Sequence, residues 1–184
     1  SWGCPPSLEG CDQLTLWQAA DALRKAGIFF VAAAGNDGPA CDSMETPPGN
    51  YDIVFSVGAI DSAGDLADFS SRGPDTQAPD ASGSPELLAP GVEVLSAWPG
   101  EQWQYSPGTS MAAPHVAGVV ALMWSANPNL RGDIDATERI LLETAAPYTG
   151  INDGCGVPGE RPDSGAGYGI VDAYAAVQRA LSPP

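Results

Sequence analysis

Basic side chains are scarce in this sequence. Lysine and arginine together number 7 against 23 aspartates and glutamates, so the formal net charge of the 184 residues is −16. Lys25 is the only lysine and His115 is the only histidine. Proteins that bind nucleic acid need a basic face to meet the phosphate backbone, so the composition excludes a nucleic-acid partner. Acidity of this degree favours solubility, as in proteins that work outside the cell.

Long apolar runs and the marks of a leader peptide are absent as well. A membrane-spanning helix needs about 20 consecutive apolar residues, and no stretch reaches that length. We therefore expect no membrane partner. The chain opens at Ser1 on what the pattern predicts to be a core strand, without an initiator methionine or a charged and then apolar leader. We interpret Ser1 as the cut end of a longer chain.

The four cysteines lack the Cys-x-x-Cys spacing of zinc and redox sites. They are Cys4, Cys11, Cys41 and Cys155. An even number without that spacing favours disulfide bonds, which form outside the cytosol, and so predicts an extracellular protein. Three pairings are possible. We expect Cys4–Cys11 across a proline-rich loop together with Cys41–Cys155 between distant loops, and the alternative is four free buried thiols.

Apolar residues, by contrast, are plentiful enough for one core, at 43% of the chain. Residues 28–34 and 53–60 form apolar runs without alternation, which is typical of strands buried on both faces of a parallel sheet. Shorter strands are predicted at 87–88 and 92–95, and helices at 135–146 and 171–181. This alternation predicts a single α/β domain with a parallel sheet flanked by helices.

The segment around Ser110 has the strongest chemical signal. Pro107 and Gly108 predict a turn, and Thr109 and Ser110 have the chemistry of a helix N-cap. Residues 111–125 are small or apolar nearly all round, which predicts a buried helix. A hydroxyl at the start of such a helix lies where free N–H groups and the helix dipole favour negative charge, as an oxygen nucleophile requires. The simpler alternative is that Thr109 or Ser110 only caps the helix.

The string Gly-Thr-Ser-Met-Ala-Ala-Pro-His-Val-Ala-Gly at 108–118 resembles the nucleophile segment of the subtilisin-like serine proteases, the subtilases. Segments 1–3, 31–39, 69–74 and 88–91 also resemble subtilase segments, in the family's order. The resemblance implies a subtilisin-like α/β fold that is incomplete because the amino-terminal part of the domain is missing. Residues 1–184 would then be the carboxyl-terminal part of a single catalytic domain.

The resemblance also implies roles for particular side chains. Ser110 would be the nucleophile, and Asn36, which alone would be interpreted as a turn residue, would share the oxyanion hole with the Ser110 N–H. Small residues and strand edges that suit an extended peptide would form the substrate cleft. The cleft residues implied by the family are Ser1, Trp2 and Gly3 on one wall, Ala33, Ala34 and Gly35 on the second, and residues 46–49, with Pro47 and Gly49, on the third.

A general base for Ser110 is missing from the sequence. His115 follows five residues later on the predicted helix, about 140° round the axis and roughly 7.5 Å along it. It cannot accept the Ser110 proton, and we interpret it as a structural histidine. In subtilases the catalytic Asp and His precede the segment that resembles residues 1–3. Both are therefore expected outside this chain, in an amino-terminal half that would be its partner.

No cofactor is required for this chemistry, but a structural calcium ion is a further expectation. Glu86 falls where many subtilases carry an aspartate that helps to hold calcium, and the carbonyls of Asp52 and Val54 could join it. Carboxylate and carbonyl oxygens are the ligands that calcium prefers. Glutamate in place of aspartate departs from the family pattern.

The sequence therefore predicts a secreted serine endopeptidase that acts on polypeptides and is inactive as this chain alone. The alternative is a non-catalytic subtilase-like domain that serves as a binding or structural module. The Gly-x-Ser-x-Gly elbow of the α/β-hydrolases is excluded, because Ala112 stands two residues after Ser110.

Overall fold

The computed structural model describes residues 1, 3–5, 9–12, 14–73, 85–150, 155 and 161–182. Its helices are α1 (Trp17–Lys25), α2 (Thr109–Ala126), α3 (Ile134–Thr144) and α4 (Ala173–Leu181), and its strands are β1 (Val31–Ala33), β2 (Phe55–Ile60), β3 (Leu87–Pro90), β4 (Val94–Trp98) and β5 (Gln102–Ser106). A short 3₁₀ turn, Pro128–Leu130, follows α2. No helix of these described residues has the length and apolar character needed to cross a membrane.

A parallel sheet in the order β1–β2–β3 forms the centre of the fold, as predicted. All six residues of β2 are buried, as a strand covered on both faces requires. The two apolar runs give shorter strands than predicted. β1 is confined to the three residues that pair with β2, and Ile28 is half exposed. β2 starts late because Val54 lies in a turn, where its N–H donates to the Tyr51 carbonyl at 3.1 Å.

The Ser110 helix, α2, lies against this sheet. Its buried side chains are Thr109, Ala112, Ala113, Val116, Val119, Val120 and Met123. The prediction that the helix is buried all round is wrong, since Leu122 is 56% exposed and Ala117, Gly118 and Ala121 are also at the surface. The reason is that β1, β2, β3 and α4 all pack on one side of α2. None of the described elements covers the other side.

The strand predicted at 92–95 does not belong to the central sheet. β4 pairs with β5 in an antiparallel ribbon, with Leu95 opposite Tyr105 and Ala97 opposite Trp103. The predicted helices near 135–146 and 171–181 form as α3 and α4. Their start is fixed by aspartate caps: Asp133 accepts from the Ala136 N–H at 3.0 Å, and Asp172 accepts from the Ala175 N–H at 2.8 Å.

Both disulfide bonds are present with the expected pairing. Cys4 is bonded to Cys11, and Cys41 is bonded to Cys155, which lies 114 residues further along the chain. The alternative of four free thiols is wrong, because the structure has no free cysteine. The second bond fastens the loop that follows β1 to the carboxyl-terminal part of the fold.

Candidate active site

The start of α2 is capped from a different part of the chain. Gly108 occupies the N-cap position, and no side chain of the local segment caps the helix. The prediction of a cap by Thr109 or Ser110 is therefore wrong. Instead the Asn36 side-chain oxygen accepts a hydrogen bond from the Thr109 N–H at 2.9 Å. This tertiary cap leaves the Ser110 hydroxyl out of the capping contacts.

The same contact fixes the orientation of the Asn36 amide. A backbone N–H can only donate, so the Asn36 atom facing Thr109 is the oxygen, and its Nδ2 carries the two donors. The Thr109 hydroxyl reinforces this arrangement, since its Oγ1 lies 3.0 Å from the Asn36 Oδ1 and 3.1 Å from the Gly35 carbonyl oxygen. Among the described residues, neither Asn36 Nδ2 nor the Ser110 N–H meets an acceptor.

Gly108 shows how close these groups are to one another. Its φ of 146° lies in the region that favours glycine. A Cβ at this position would lie 3.7 Å from the Ser110 nitrogen, 3.8 Å from Asn36 Oδ1 and 3.6 Å from the Met111 sulfur. The Ser110 N–H and the Asn36 side chain thus border one small space at the positive end of α2, where an anionic oxygen is favoured.

Ser110 and Asn36 open on a cleft of about 690 Å³. Of the predicted wall residues, Gly3, Ala33 and Gly35 line it. Pro47, Gly49 and Ala34 are buried and do not line it, and Ser1 is exposed away from it. Trp2 lies outside the described residues. Three of the predicted wall residues thus line the cleft, and on the third wall Thr46 rather than Pro47 faces it.

Pro47 and Gly49 act behind the cleft wall. The Pro47 carbonyl accepts from the Cys4 N–H at 2.8 Å, which joins the amino-terminal segment to this loop. Gly49 lies against the Ala33 carbonyl so closely that any side chain there would collide with it. The sequence missed several lining residues, namely Pro5, Asp37, Ala40, Cys41, Asp42, Ser43, Glu45 and Thr109. For Asp37 a signal existed, because it directly follows Asn36.

His115 makes no contact with the Ser110 hydroxyl. Its ring is exposed, and its Nδ1 lies 2.8 Å from the Met111 carbonyl oxygen on the same helix. Since the sequence contains no other histidine, a histidine base for Ser110 is not present in this chain.

The sequence was also compared with models of known protein families. The family model described as the subtilase family matches residues 1–169. The chain belongs to the subtilase family.

Two similar proteins and two solved structures place this subtilase chain among its relatives. It is 38% identical over 183 residues to bacillopeptidase F of Bacillus subtilis (strain 168), covering 96% of the chain and 12% of that protein. It is 44% identical over 117 residues to subtilisin DY of Bacillus licheniformis, covering 62% of the chain and 39% of that protein. It is 29% identical to sphericase, with a TM-score of 0.76, covering 88% of the chain and 53% of sphericase.

The prenylagaramide maturation protease PagA is also similar, at 29% identity and a TM-score of 0.72. The chain is covered to 95% in this comparison and PagA to 58%. This subtilase chain therefore spans only about half the length of the solved structures that it matches. The subtilisin-like fold, a parallel sheet with flanking helices, is confirmed.

The three predicted calcium ligands, Glu86, Asp52 and Val54, differ in their surroundings. Glu86 accepts hydrogen bonds from the backbone N–H and the hydroxyl of Ser56, the latter at 2.7 Å. Asp52 is exposed and Val54 is buried. Among the described residues, the group of three or more candidate metal ligands is Cys4, Glu9 and Cys11, which contains a disulfide bond. Both Ser56 donors bond to the same oxygen of Glu86, Oε2.

Glu86 has the most strongly displaced carboxyl pKa among the described side chains. Burial raises the pKa of Glu86 to about 7, against the hydrogen bonds from Ser56, which favour the charged form, and Glu138 adds a smaller repulsion. The folded state therefore keeps a proton that the unfolded state has already lost. Stability from this group is fully present below the ordinary glutamate pKa and is lost as the pH rises towards 7.

We expect Glu86→Gln to flatten this pH dependence. The wild type should lose about 3 kcal/mol of unfolding free energy between pH 4.5 and 7.5 through this one group, and the variant should not. The measurement is urea unfolding at several pH values. Glu101→Gln, at an exposed glutamate, serves as the control and should keep the wild-type slope. A wild-type slope in Glu86→Gln would contradict the assignment.

Proposed function

We propose that this chain supplies the nucleophile and the oxyanion hole of a subtilisin-like serine endopeptidase. One observation carries the proposal: Thr109 holds the Asn36 oxygen, so that Asn36 Nδ2 and the Ser110 N–H remain as donors beside the Ser110 hydroxyl. Peptide hydrolysis by serine needs a nucleophile, a base and such donors. The cleft that begins at Ser110 has room for the side chains of an extended polypeptide substrate.

The proposed mechanism uses these groups in order. The Ser110 oxygen attacks the carbonyl carbon of the substrate while a base takes its proton. The carbonyl oxygen becomes an oxyanion and accepts hydrogen bonds from the Ser110 N–H and Asn36 Nδ2. The base then returns the proton to the leaving amine, which departs and leaves an acyl group on Ser110. Water hydrolyses this ester and regenerates the serine.

The base belongs, on this proposal, to an amino-terminal half of the same domain. Support comes from the share of sphericase that the chain covers, 53%, and from the exposed apolar side of α2 at Leu122 and Ala121. Residues 1–184 are then the carboxyl-terminal part of one catalytic domain. No cofactor takes part in the chemistry, and structural calcium at Glu86 remains a prediction. The two disulfide bonds support an extracellular location.

A fluorophosphonate, which reacts with activated serines, tests this proposal. We expect no labelling and no peptide hydrolysis with the chain alone, because it lacks a base. With the amino-terminal half added or expressed in the same chain, labelling should appear at Ser110, located by mass spectrometry of the peptide that contains it. Ser125, which is exposed on the same helix, should stay unlabelled in both samples. Hydrolysis of a peptide by the chain alone would refute the proposal that the base for Ser110 lies outside this chain.

The absence of a histidine base in this chain also favours a second candidate, a non-catalytic subtilase-like module. This module would bind peptides in the same cleft without reacting with them. Failure of fluorophosphonate to label Ser110 in the complete domain, together with retained peptide binding, would decide for it.

A further inference from the structure

A buried segment, residues 69–73, lies behind the cleft, and the proposed mechanism assigns no task to it. Its last four residues are buried, and Ser71 is 0% exposed. The Ser70 hydroxyl accepts a hydrogen bond from the Ala59 N–H of β2 at 3.1 Å, which ties the segment to the central sheet. We call residues 69–73 the support segment, because the turn that carries Asn36 is bonded to it.

Ser71 holds that turn on both sides of Asn36. The Ser71 N–H donates to the Gly35 carbonyl oxygen at 3.0 Å. The Ser71 hydroxyl accepts from the Asp37 N–H at 3.1 Å. The two residues that flank Asn36 in the chain are therefore bonded to one buried serine.

Two glycines let the turn lie this close to the support segment. A Cβ on Gly35 would stand 2.6 Å from the Ser71 Oγ, and a Cβ on Gly38 would collide with the Ser70 carbonyl oxygen. The Gly38 N–H also donates to the Phe69 carbonyl at 3.0 Å. The close packing stops the turn from moving towards the support segment, and the hydrogen bonds stop it from moving away.

The side chain of Asn36 is fixed at its other end by α2. Its Oδ1 accepts from the Thr109 N–H at 2.9 Å. The position of Asn36 Nδ2 therefore depends on two anchors, one on the main chain at Ser71 and one on the side-chain oxygen at Thr109. A donor must lie about 2.7–3.1 Å from the oxyanion, and a misplacement of about 1 Å can cost about 10²-fold in rate.

We propose that Ser71 is a positioning residue for catalysis, which acts through Asn36 by fixing the backbone on both sides of it. This inference rests on the proposed function, because the position of a donor matters only where an oxyanion forms. Ser71 is completely buried and is not among the described residues that line the cleft. Its effect should fall on kcat and not on KM, since the donor bonds the substrate oxygen as charge develops.

Two neighbouring serines give a matched pair of variants. Ser71→Ala and Ser70→Ala each delete a hydroxyl of a residue that is 0% exposed, and each hydroxyl accepts one backbone N–H at 3.1 Å. Both variants should therefore lose similar stability. In the complete catalytic domain, steady-state kinetics should show kcat about tenfold lower in Ser71→Ala with KM unchanged. Ser70→Ala should leave both constants unchanged.

An unchanged kcat in Ser71→Ala, or an equal fall of kcat in the two serine variants, would overturn the proposal. Combination with Asn36→Ala then shows whether Ser71 acts through Asn36. In that background the Nδ2 donor is already lost, so Ser71→Ala should lower kcat by less than about twofold further. The same tenfold fall in both backgrounds would also overturn the proposal.

Hydrogen exchange of the Asp37 amide tests the contact with Ser71 in this chain without chemistry, and it needs no variant to fold. Asp37 is exposed, but its N–H donates to a buried hydroxyl. By NMR we expect this amide to exchange at least about 10²-fold more slowly than in an unstructured peptide. Exchange at the rate of an unstructured peptide would overturn the proposal.

The two kinds of failure can be told apart. Slow exchange of the Asp37 amide, together with no hydrolysis by the complete wild-type domain, would reject the proposed catalysis. Hydrolysis by the wild-type domain with an unchanged kcat in Ser71→Ala would reject only the role of Ser71.

Discussion

Replacing Asn36 by aspartate in the complete catalytic domain is expected to lower kcat by about 10²–10³-fold with little change in KM. The substitution keeps the oxygen that accepts from the Thr109 N–H and removes the Nδ2 donors. The lost hydrogen bond forms only as charge develops on the substrate oxygen, so the loss falls on the transition state. Steady-state kinetics with a chromogenic peptide measures both constants.

Asn36→Ala separates the two tasks of this side chain. It removes the donor and also the tertiary cap of α2, so we expect a similar fall in kcat and in addition about 1 kcal/mol less stability. Asn129→Ala, at an exposed asparagine outside the site, is the matched control and should change neither. A loss of less than tenfold in kcat for both Asn36 variants would exclude Asn36 from the oxyanion hole.

Removing the Cys41–Cys155 bond is expected to cost about 4–5 kcal/mol of unfolding free energy in the isolated chain. The bond closes a loop between residues 114 apart, and the entropy that a crosslink removes from the unfolded chain grows with the length of the loop. The variant is Cys41→Ser with Cys155→Ser, which leaves no unpaired thiol. Denaturant unfolding monitored by tryptophan fluorescence gives the free energy.

Removal of the other disulfide bond is the control, and its effect on the unfolding free energy is measured in the same way. Cys4 and Cys11 are only 7 residues apart, so Cys4→Ser with Cys11→Ser should cost about 2–3 kcal/mol. Equal losses in the two double variants would show that loop length does not determine the effect. A smaller loss for Cys41–Cys155 than for Cys4–Cys11 would contradict the prediction outright.

The sheet and the helices could be predicted from the sequence because their signals are local. The uninterrupted apolar run at 53–60 predicted the fully buried β2, and the helices predicted near 135–146 and 171–181 form with caps at Asp133 and Asp172. The lengths of strands could not be predicted in this way. β1 ends where its pairing with β2 ends, and pairing depends on residues far away in the chain.

The candidate site also depends on contacts between residues that are far apart in the chain, which local sequence patterns do not predict. Motif resemblance implied one site for Ser110 and Asn36, and the structure places both residues at one cleft. The local rule for helix caps, however, pointed to Thr109 or Ser110. The acceptor is Asn36, 73 residues earlier than Thr109, so no window of sequence around the helix contains it. The acidic lining of the cleft was missed for a related reason. Asp42 and Glu45 lie in a loop whose path depends on contacts with Arg72 and Gly73.

The long chain separation between Asn36 and Thr109 has a consequence for the order of events during folding. Helices form early because their contacts are local, whereas contacts between distant residues wait for loop closure. The two donors of the proposed oxyanion hole therefore meet only after β1, β2 and α2 have packed together. On the proposed function, a newly made catalytic domain carries its nucleophile before it can stabilise a transition state. Partly folded copies of the complete domain would thereby be kept from digesting one another.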